Sequence, residues 1–286
     1  LNNFFLNFKS KKKLNKIKTI CIGNIYLGGT GKTPTTIKLY EILKKLNFNV
    51  VTAKKFYISQ LDEIDILQKK TNFISSTKRK EIILKAEKNK NNIVVFDDGL
   101  QDRSISYDLN FVCFDADNFI GNGNLIPSGP LREKLNSLIK YDGVFFKIDE
   151  DFPEDQIELV KKFNPNISIF ETSYEIKNLS EFDLSNNYLI VSGIGNPDSF
   201  KKILLKKNFK IIEEKVFPDH YDYTKKDLEN IEDHAKKLNA KIITTEKDFV
   251  KLAKFDSNNI KFIELDLNVK NEESLINFLK RNLWKN

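Results

Sequence analysis

Four glycines, a lysine and two threonines crowd into twelve positions, GNIYLGGTGKTP (23–34), directly after the apolar run IKTICI. Glycine loses more conformational freedom on folding than any other residue, so such a cluster marks a backbone that passes where a Cβ would obstruct. An apolar strand, a glycine-rich turn and a Lys-Thr pair opening a helix is the order that a phosphate cradle needs. Backbone N–H groups at the turn point at the anion, Lys32 adds positive charge, and the Thr33 hydroxyl can ligate Mg²⁺. Side chains at Gly28, Gly29 or Gly31 would block that approach. The usual G-x-x-x-x-G-K-[ST] spacing puts its first glycine where Tyr26 stands, and the stretch is closer to a G-G-x-G-K-T variant. A second element, NIVVFDDGLQ (92–101), ends an apolar run on Asp97 and Asp98. Carboxylates at the end of a neighbouring strand suit a phosphate loop: one can hold Mg²⁺ while the other takes a proton from an attacking hydroxyl. Adjacent residues on an extended strand point apart, so the two divide those roles.

The elements that position these residues follow from hydrophobic periodicity. Short apolar runs at 18–24, 49–56, 92–98, 109–115 and 143–149 read as strands. Between several of them TPTTIKLYEILKKLN, TKRKEIILKAEKNK and LREKLNSLIKY carry a period near 3.6 and read as helices. The alternation predicts an α/β fold with a mostly parallel sheet covered by helices. It pauses over a polar, strand-prone stretch at 167–187 and then restarts, which places a domain boundary near residue 176.

At 286 residues, 40% hydrophobic, the chain is long enough for two globular domains. A net charge of +7 suits a nucleic acid, an anionic membrane or a phosphorylated substrate and selects none of them. Nucleic-acid binding is not expected, since no aromatic and basic recognition motif accompanies the charge. Cys21 and Cys113 lie in apolar runs without metal-ligand spacing and are expected as buried free thiols. No run reaches the roughly 18 apolar residues of a membrane span. No signal peptide is expected either, because KSKKKLNKIK occupies the place of its apolar core.

GNIYLGGTGKTP, VVFDDGLQ, FDADNFIGNGNLIPSGPLRE, VSGIGNPDSF, FPDHYDYT and TTEKDFVKL occur in the order and nearly the wording of the tetraacyldisaccharide 4'-kinases, the lipid A 4'-kinases. The sequence resembles that family over roughly residues 18 to 255. The resemblance implies an ATP- and Mg²⁺-dependent kinase phosphorylating the 4'-hydroxyl of a tetraacylated glucosamine disaccharide 1-phosphate at the cytoplasmic face of the inner membrane. It implies a P-loop-type α/β/α sandwich with a second, smaller α/β domain joined by a short β linker. Residues 1–175 would form the nucleotide-binding kinase domain and 176–286 the smaller domain closing over the active site. By the same resemblance Tyr26, Leu27, Gly28, Gly29, Thr30, Gly31, Lys32 and Thr33 would wrap the ATP phosphates, and Thr33 and Asp98 would serve Mg²⁺. Asp97 resembles the family's catalytic carboxylate, with His220 of FPDH as its partner. Asp115, Gly121, Asn122 and Arg132 are candidates for substrate contact. Departures stand between the phosphate loop and DDGLQ: AKKFY replaces an S-R-G-Y-like segment, QLDEID keeps only Asp62 and Glu63 of a G-D-E element, and Asp102 stands where a histidine is usual.

Ahead of the first strand, Phe4, Phe5, Leu6 and Phe8 precede Lys9, Lys11, Lys12, Lys13, Lys16 and Lys18, a pairing suited to peripheral docking on an anionic membrane. The lipid disaccharide substrate and that membrane are the expected partners, and the protein is expected to be a monomer. The alternative is a P-loop ATPase switch of the partitioning or metal-chaperone type. Such a switch often carries a lysine where Leu27 stands, and it has no use for FPDH or the GNGNLIPSGPLRE loop.

Overall fold

The structure is a computed structural model describing residues 17–102, 104–149, 152–255 and 259–284, so the N-terminal apolar and basic segment up to Lys16 lies outside the described residues. The first part of the chain alternates β1 (Lys18–Gly23), α1 (Lys32–Lys45), β2 (Val50–Lys55), α2 (Leu61–Lys70), β3 (Phe73–Ser76), α3 (Arg79–Lys88), β4 (Ile93–Asp97), β5 (Leu109–Asp115), β6 (Gly143–Lys147), α4 (Glu154–Phe163) and β7 (Ser168–Ile176). It continues through β8 (Asn187–Ser192), α5 (Pro197–Lys206), β9 (Lys210–Val216), α6 (Lys225–Lys237), β10 (Lys241–Thr245), α7 (Glu246–Leu252), β11 (Ile260–Ile263), β12 (Leu265–Val269) and α8 (Glu272–Leu283).

Two sheets result. The larger has eight strands in the order β12-β7-β6-β5-β1-β4-β2-β3, parallel except for β12. Its central strands read as unbroken apolar runs because helices cover both faces. Ile20, Ile22, Val95, Phe111 and Phe145 pack with Leu39 and Leu43 of α1 and with Leu275 and Phe278 of α8. Val112, Phe114, Val144 and Phe146 face Ile157 and Val160 of α4, and Val94 and Phe96 face Ile82 and Ile83 of α3. The smaller sheet is parallel throughout, in the order β11-β10-β8-β9. Alternation along β8 sends Tyr188 and Ile190 toward Phe200 and Leu204 of α5, and Leu189 and Val191 toward Leu228 and Ile231 of α6.

The chain leaves the large sheet along β7 and returns along β12, and these strands pair antiparallel from Ile176↔Leu265 to Thr172↔Val269. The pairing therefore does more than a single cut near residue 176 anticipates, since β12 and α8 belong to the large sheet. Trp284 stacks on Phe48, ring centroids 4.1 Å apart, and ties the end of α8 to the turn after α1. The helix expected over LREKLNSLIKY is instead a short 3₁₀ stretch, Leu135–Lys140, set by the turns on either side of it. Helices α2 and α4 and the four-residue strand β3 were not legible as separate elements. Both cysteines are buried and free. Among the described residues, no helix is long and apolar enough to cross a membrane.

Candidate active site

Strand β1 delivers the glycine loop to the carboxyl end of the sheet between β4 and β5, where the chain order reverses and crevices form. Leu27 through Thr33 line a cleft with a volume of about 430 Å³, in the range of small-ligand sites. Among the described residues the N–H groups of Gly28, Gly29, Thr30 and Gly31 make no hydrogen bond, while Leu27 N donates to Pro130 O (2.7 Å) and Thr35 N to Gly31 O (3.0 Å). These free donors, together with the N-terminus of α1, form an anion site. Gly31 holds φ at 79°, in the left-handed region, and a Cβ there would stand 2.8 Å from Tyr174 Oη. From the smaller sheet, Gly195 comes so close that a Cβ on it would lie 2.8 Å from Gly29 N. Tyr26 does not line the cleft; its backbone bridges to Leu131 and its ring packs beside Gly28 and Gly121. The loop's shape is fixed by Asn24, which is fully buried. Its Nδ2 donates to Gly28 O (3.2 Å) and Thr30 Oγ1 (3.0 Å), and its Oδ1 accepts from Arg132 Nη1 (2.9 Å).

The two adjacent aspartates part company at the end of β4. Asp97 is fully buried behind the loop: Thr33 Oγ1 donates to it at 3.0 Å, Thr36 Oγ1 at 3.3 Å and Lys54 Nζ at 2.8 Å. Lys54 is itself 1% exposed and also pairs with Glu63 Oε2 at 2.6 Å. Burial pushes the Asp97 carboxyl above the usual carboxylate range, with Lys54 pulling the other way. Asp98 instead faces the cleft, turned there by a left-handed φ of 52°. That conformation is costly for a non-glycine residue and needs support. The buried guanidinium of Arg79 supplies it, donating to Asp98 O (2.6 Å) and pairing with Asp102, while Asp98 N donates to Ile22 O (2.8 Å). Lys32 Nζ lies 4.0 Å from Asp98 Oδ2 and Arg132 Nη1 3.1 Å from Oδ1. Burial alone would raise the Asp98 carboxyl, but these two cations hold it below its ordinary value.

His220 does not pair with Asp97. Its Nδ1 lies 3.2 Å from Oδ2 of Asp62, at the start of α2, which also has Lys251 Nζ at 3.2 Å and Lys247 Nζ at 3.6 Å. The expected Asp97–His220 pairing is thereby corrected: Asp97 is sealed under the phosphate loop, whereas α2 packs on α7 and presents Asp62 to the loop after β9. Lys247 Nζ stands 3.3 Å from His220 Nε2. An ammonium can only donate, so Nε2 accepts, while Nδ1 faces Asp62 Oδ2 without completing a hydrogen bond to it. Burial raises the Asp62 carboxyl, but His220, Lys247 and Lys251 outweigh it and hold the group well below the carboxylate range.

Asp115 lines the cleft but is committed to other side chains. Its Oδ2 accepts from Lys147 Nζ (2.8 Å) and from Nδ2 of Asn196 (2.9 Å), and Asn196 also caps α5. Asp115 thereby ties the large sheet to the smaller one beside the phosphate loop. Gly121 and Asn122 do not reach the cleft. Gly121 is pressed under Pro130, and Asn122 spends its side chain on Ser128 O (2.9 Å) and Asn124 N (3.1 Å) within its own loop. Arg132, at the end of that loop, does line the cleft, as Asp115 does. The residues that motif spacing missed are Asn24, Lys54, Lys147, Asn196 and Lys247. Asn24 and Asn196 carried a signal as polar residues inside glycine-rich motifs, and Lys247 stood inside the TTEKDFVKL block.

The family profile described as Tetraacyldisaccharide-1-P 4'-kinase matches residues 2–72 and 61–283. A protein of Pelagibacter ubique (strain HTCC1062) named tetraacyldisaccharide 4'-kinase is 46% identical over 273 residues, covering 95% of this chain and 87% of that protein. One of the same name from Rickettsia bellii (strain OSU 85-389) is 36% identical over 259 residues, covering 85% and 78%. Among solved structures, the "apo" form of LpxK from Aquifex aeolicus in complex with ATP superposes with a TM-score of 0.66 at 22% identity, covering 94% of this chain and 90% of that one, which establishes a common fold. Matched along nearly its whole length, with the phosphate loop and the facing carboxylates in place, the chain belongs to the tetraacyldisaccharide-1-P 4'-kinase family.

Proposed function

We propose that this chain transfers the γ-phosphoryl group of ATP to the 4'-hydroxyl of a tetraacylated glucosamine disaccharide 1-phosphate. The observation that carries it is one cleft lined both by an anion cradle, Gly28 to Thr33, and by His220, which has the buried Asp62 behind it. The free loop N–H groups and Lys32 hold the phosphates and take up charge that develops on them. Thr33, Asp98 and, behind them, Asp97 offer hard oxygen donors of the kind Mg²⁺ prefers. Among the described residues no three His, Cys, Asp or Glu side chains converge on a cation, which suits a metal held by one or two protein oxygens and the nucleotide's own phosphates. Mg²⁺, when bound, supplies charge neutralisation at the phosphates.

The acceptor hydroxyl has a pKa far too high to ionise unaided, and it is positioned more than activated. The O–H bond of the acceptor breaks as its oxygen attacks, and the proton passes to Nε2 of His220, which Lys247 yields while keeping its contact with Asp219; Asp62 then stabilises the imidazolium. Arg132, shared with Asp98, is placed to meet an acceptor oxygen or phosphate. The body built on β8 to β11 acts as the closing domain, since His220, Asn196 and Lys247 all come from it. A lipid acceptor together with ATP as donor supports a peripheral position at the cytoplasmic face of the inner membrane.

The test is incubation of the purified protein with γ-labelled ATP, Mg²⁺ and the acylated disaccharide 1-phosphate in detergent. Label enters the lipid if the assignment holds. ATP hydrolysis with an unlabelled lipid would sink it and favour a nucleotide switch.

A further inference from the structure

Twelve large hydrophobic side chains are exposed among the described residues, and four of them fall within six consecutive positions: Phe56 (41%), Tyr57 (43%), Ile58 (79%) and Leu61 (47%). The rest lie one or two to an element, as singly exposed apolar residues commonly do. The four span the turn after β2 and the first residue of α2 at the carboxyl edge of the large sheet, next to the terminal strand β3. A concentration of this kind marks an interaction surface.

Position and charge say what the surface meets. The same turn runs straight into Gln60 and Glu63, which line the cleft, and Leu27, 58% exposed, lines it as well. The patch is therefore continuous with the cleft mouth. No acidic residue occurs from 55 to 61. Lys55 holds its ammonium 5.2 Å from the centre of the Tyr57 ring, and Phe56 N donates to Ser76 O, which brings the exposed Lys78 and Lys80 beyond β3 to the same end of the sheet. Aromatic and aliphatic side chains ringed by lysines match a bilayer interface, where the rings sit at headgroup depth and lysines meet anionic headgroups. A cleft of about 430 Å³ suits one ligand headgroup and leaves acyl chains outside it.

We propose that residues 56–61, flanked by Lys55, Lys78 and Lys80, dock on an anionic lipid surface and hold the cleft mouth against it, a role that rests on the acylated acceptor proposed above. The turn enters the interface on Ile58, with Phe56, Tyr57 and Leu61 beside it, so an acceptor headgroup reaches the cleft while its chains stay in lipid. Phe56 and Tyr57, the exposed end of the AKKFY segment that stands where the family carries an S-R-G-Y-like one, are thus part of a docking element of this chain.

The full-length protein tests this with tryptophan reporters. Ile58→Trp is compared with Leu205→Trp, an exposed position on α5 of the smaller body, on phosphatidylglycerol and phosphatidylethanolamine vesicles carrying brominated acyl chains. Quenching at position 58 is expected to exceed that at 205 at least twofold. Equal quenching, or none at 58, overturns the proposal; the second result includes the case in which a protein surface or another part of this chain covers the patch. Replacing Phe56, Tyr57 and Ile58 together by Ser is expected to lower vesicle affinity about tenfold and to raise KM for the acylated acceptor while KM for ATP stays unchanged. Unchanged vesicle affinity in that variant also overturns it. The vesicle measurements require no turnover, so quenching at 58 without label transfer would retain the docking face and reject the kinase assignment.

Discussion

The two walls of the cleft are built in different ways. The phosphate wall is one stretch of chain on a central strand, and its main braces come from the large sheet and its cover: Asn24 directly after β1, Lys54 of β2, Asp97 of β4 and Arg79 of α3. The proposed acceptor wall exists only where two bodies meet: His220 comes from the loop after β9, Asp62 behind it from α2, and Lys247 and Lys251 from α7. The first is preorganised by local chain geometry and buried charge. The second depends on docking, through α2 against α7, Asn196 against Asp115, and Gly195 against Gly29. An enzyme built this way can bind nucleotide before its acceptor site is complete.

Breaking the phosphate wall is expected to give the largest effect. Lys32→Ala removes the one mobile charge at the loop and should lower phosphoryl transfer by about 10³-fold, read as initial rate of lipid labelling. Next comes the brace behind it. Lys54→Met leaves the buried Asp97 and the half-buried Glu63 without their shared cation and should cost about 3 kcal/mol of stability, measured by urea unfolding. A loss below about 1 kcal/mol would mean that water reaches this group after all.

The acceptor wall should fail more selectively. Asp62→Asn and His220→Ala are each expected to lower kcat by about 10²-fold while leaving KM for ATP within about twofold. Combined, they should cost little more than either alone, because the two act as a unit. Multiplicative losses in the double variant would separate them. The smallest effect is a pH dependence of stability. Asp62 is held well below its unfolded value near 4, so as pH falls toward 4 the unfolded chain takes up a proton that the folded one refuses, and stability declines. Asp62→Asn removes that linkage: its thermal midpoint should fall about 2 °C less than that of the parent between pH 7 and pH 4. An identical slope in both proteins would refute the coupling.

How much of this was legible follows from the range of each interaction. The strand, glycine turn and helix around Gly28 to Thr33 are local features, and the sequence pattern located them with five adjacent strands of the large sheet, β6, β5, β1, β4 and β2. The adjacency of Asp97 and Asp98 was equally plain, but their roles were not. Sheet register seals Asp97 against Thr33, Thr36 and Lys54, and the left-handed backbone at Asp98 aims the second carboxylate into the cleft. Both Asp62 and His220 were noted singly, and nothing local joins them. The GNGNLIPSGPLRE loop showed its glycines openly, yet Gly121 and Asn122 serve the loop's own turns while Arg132 alone reaches the cleft.

By itself the sequence determined the alternation of strands and helices, the phosphate loop and the family, because each is written in contiguous residues whose periodicity and backbone demands are local. Only the tertiary structure decided that β12 and α8 return to the large sheet, that Asp62 is the partner of His220, and that Asp98 faces the cleft in place of Asp97. Those outcomes depend on which distant surfaces bury one another and on which charges lose their water in doing so, and neither is fixed until the two bodies pack.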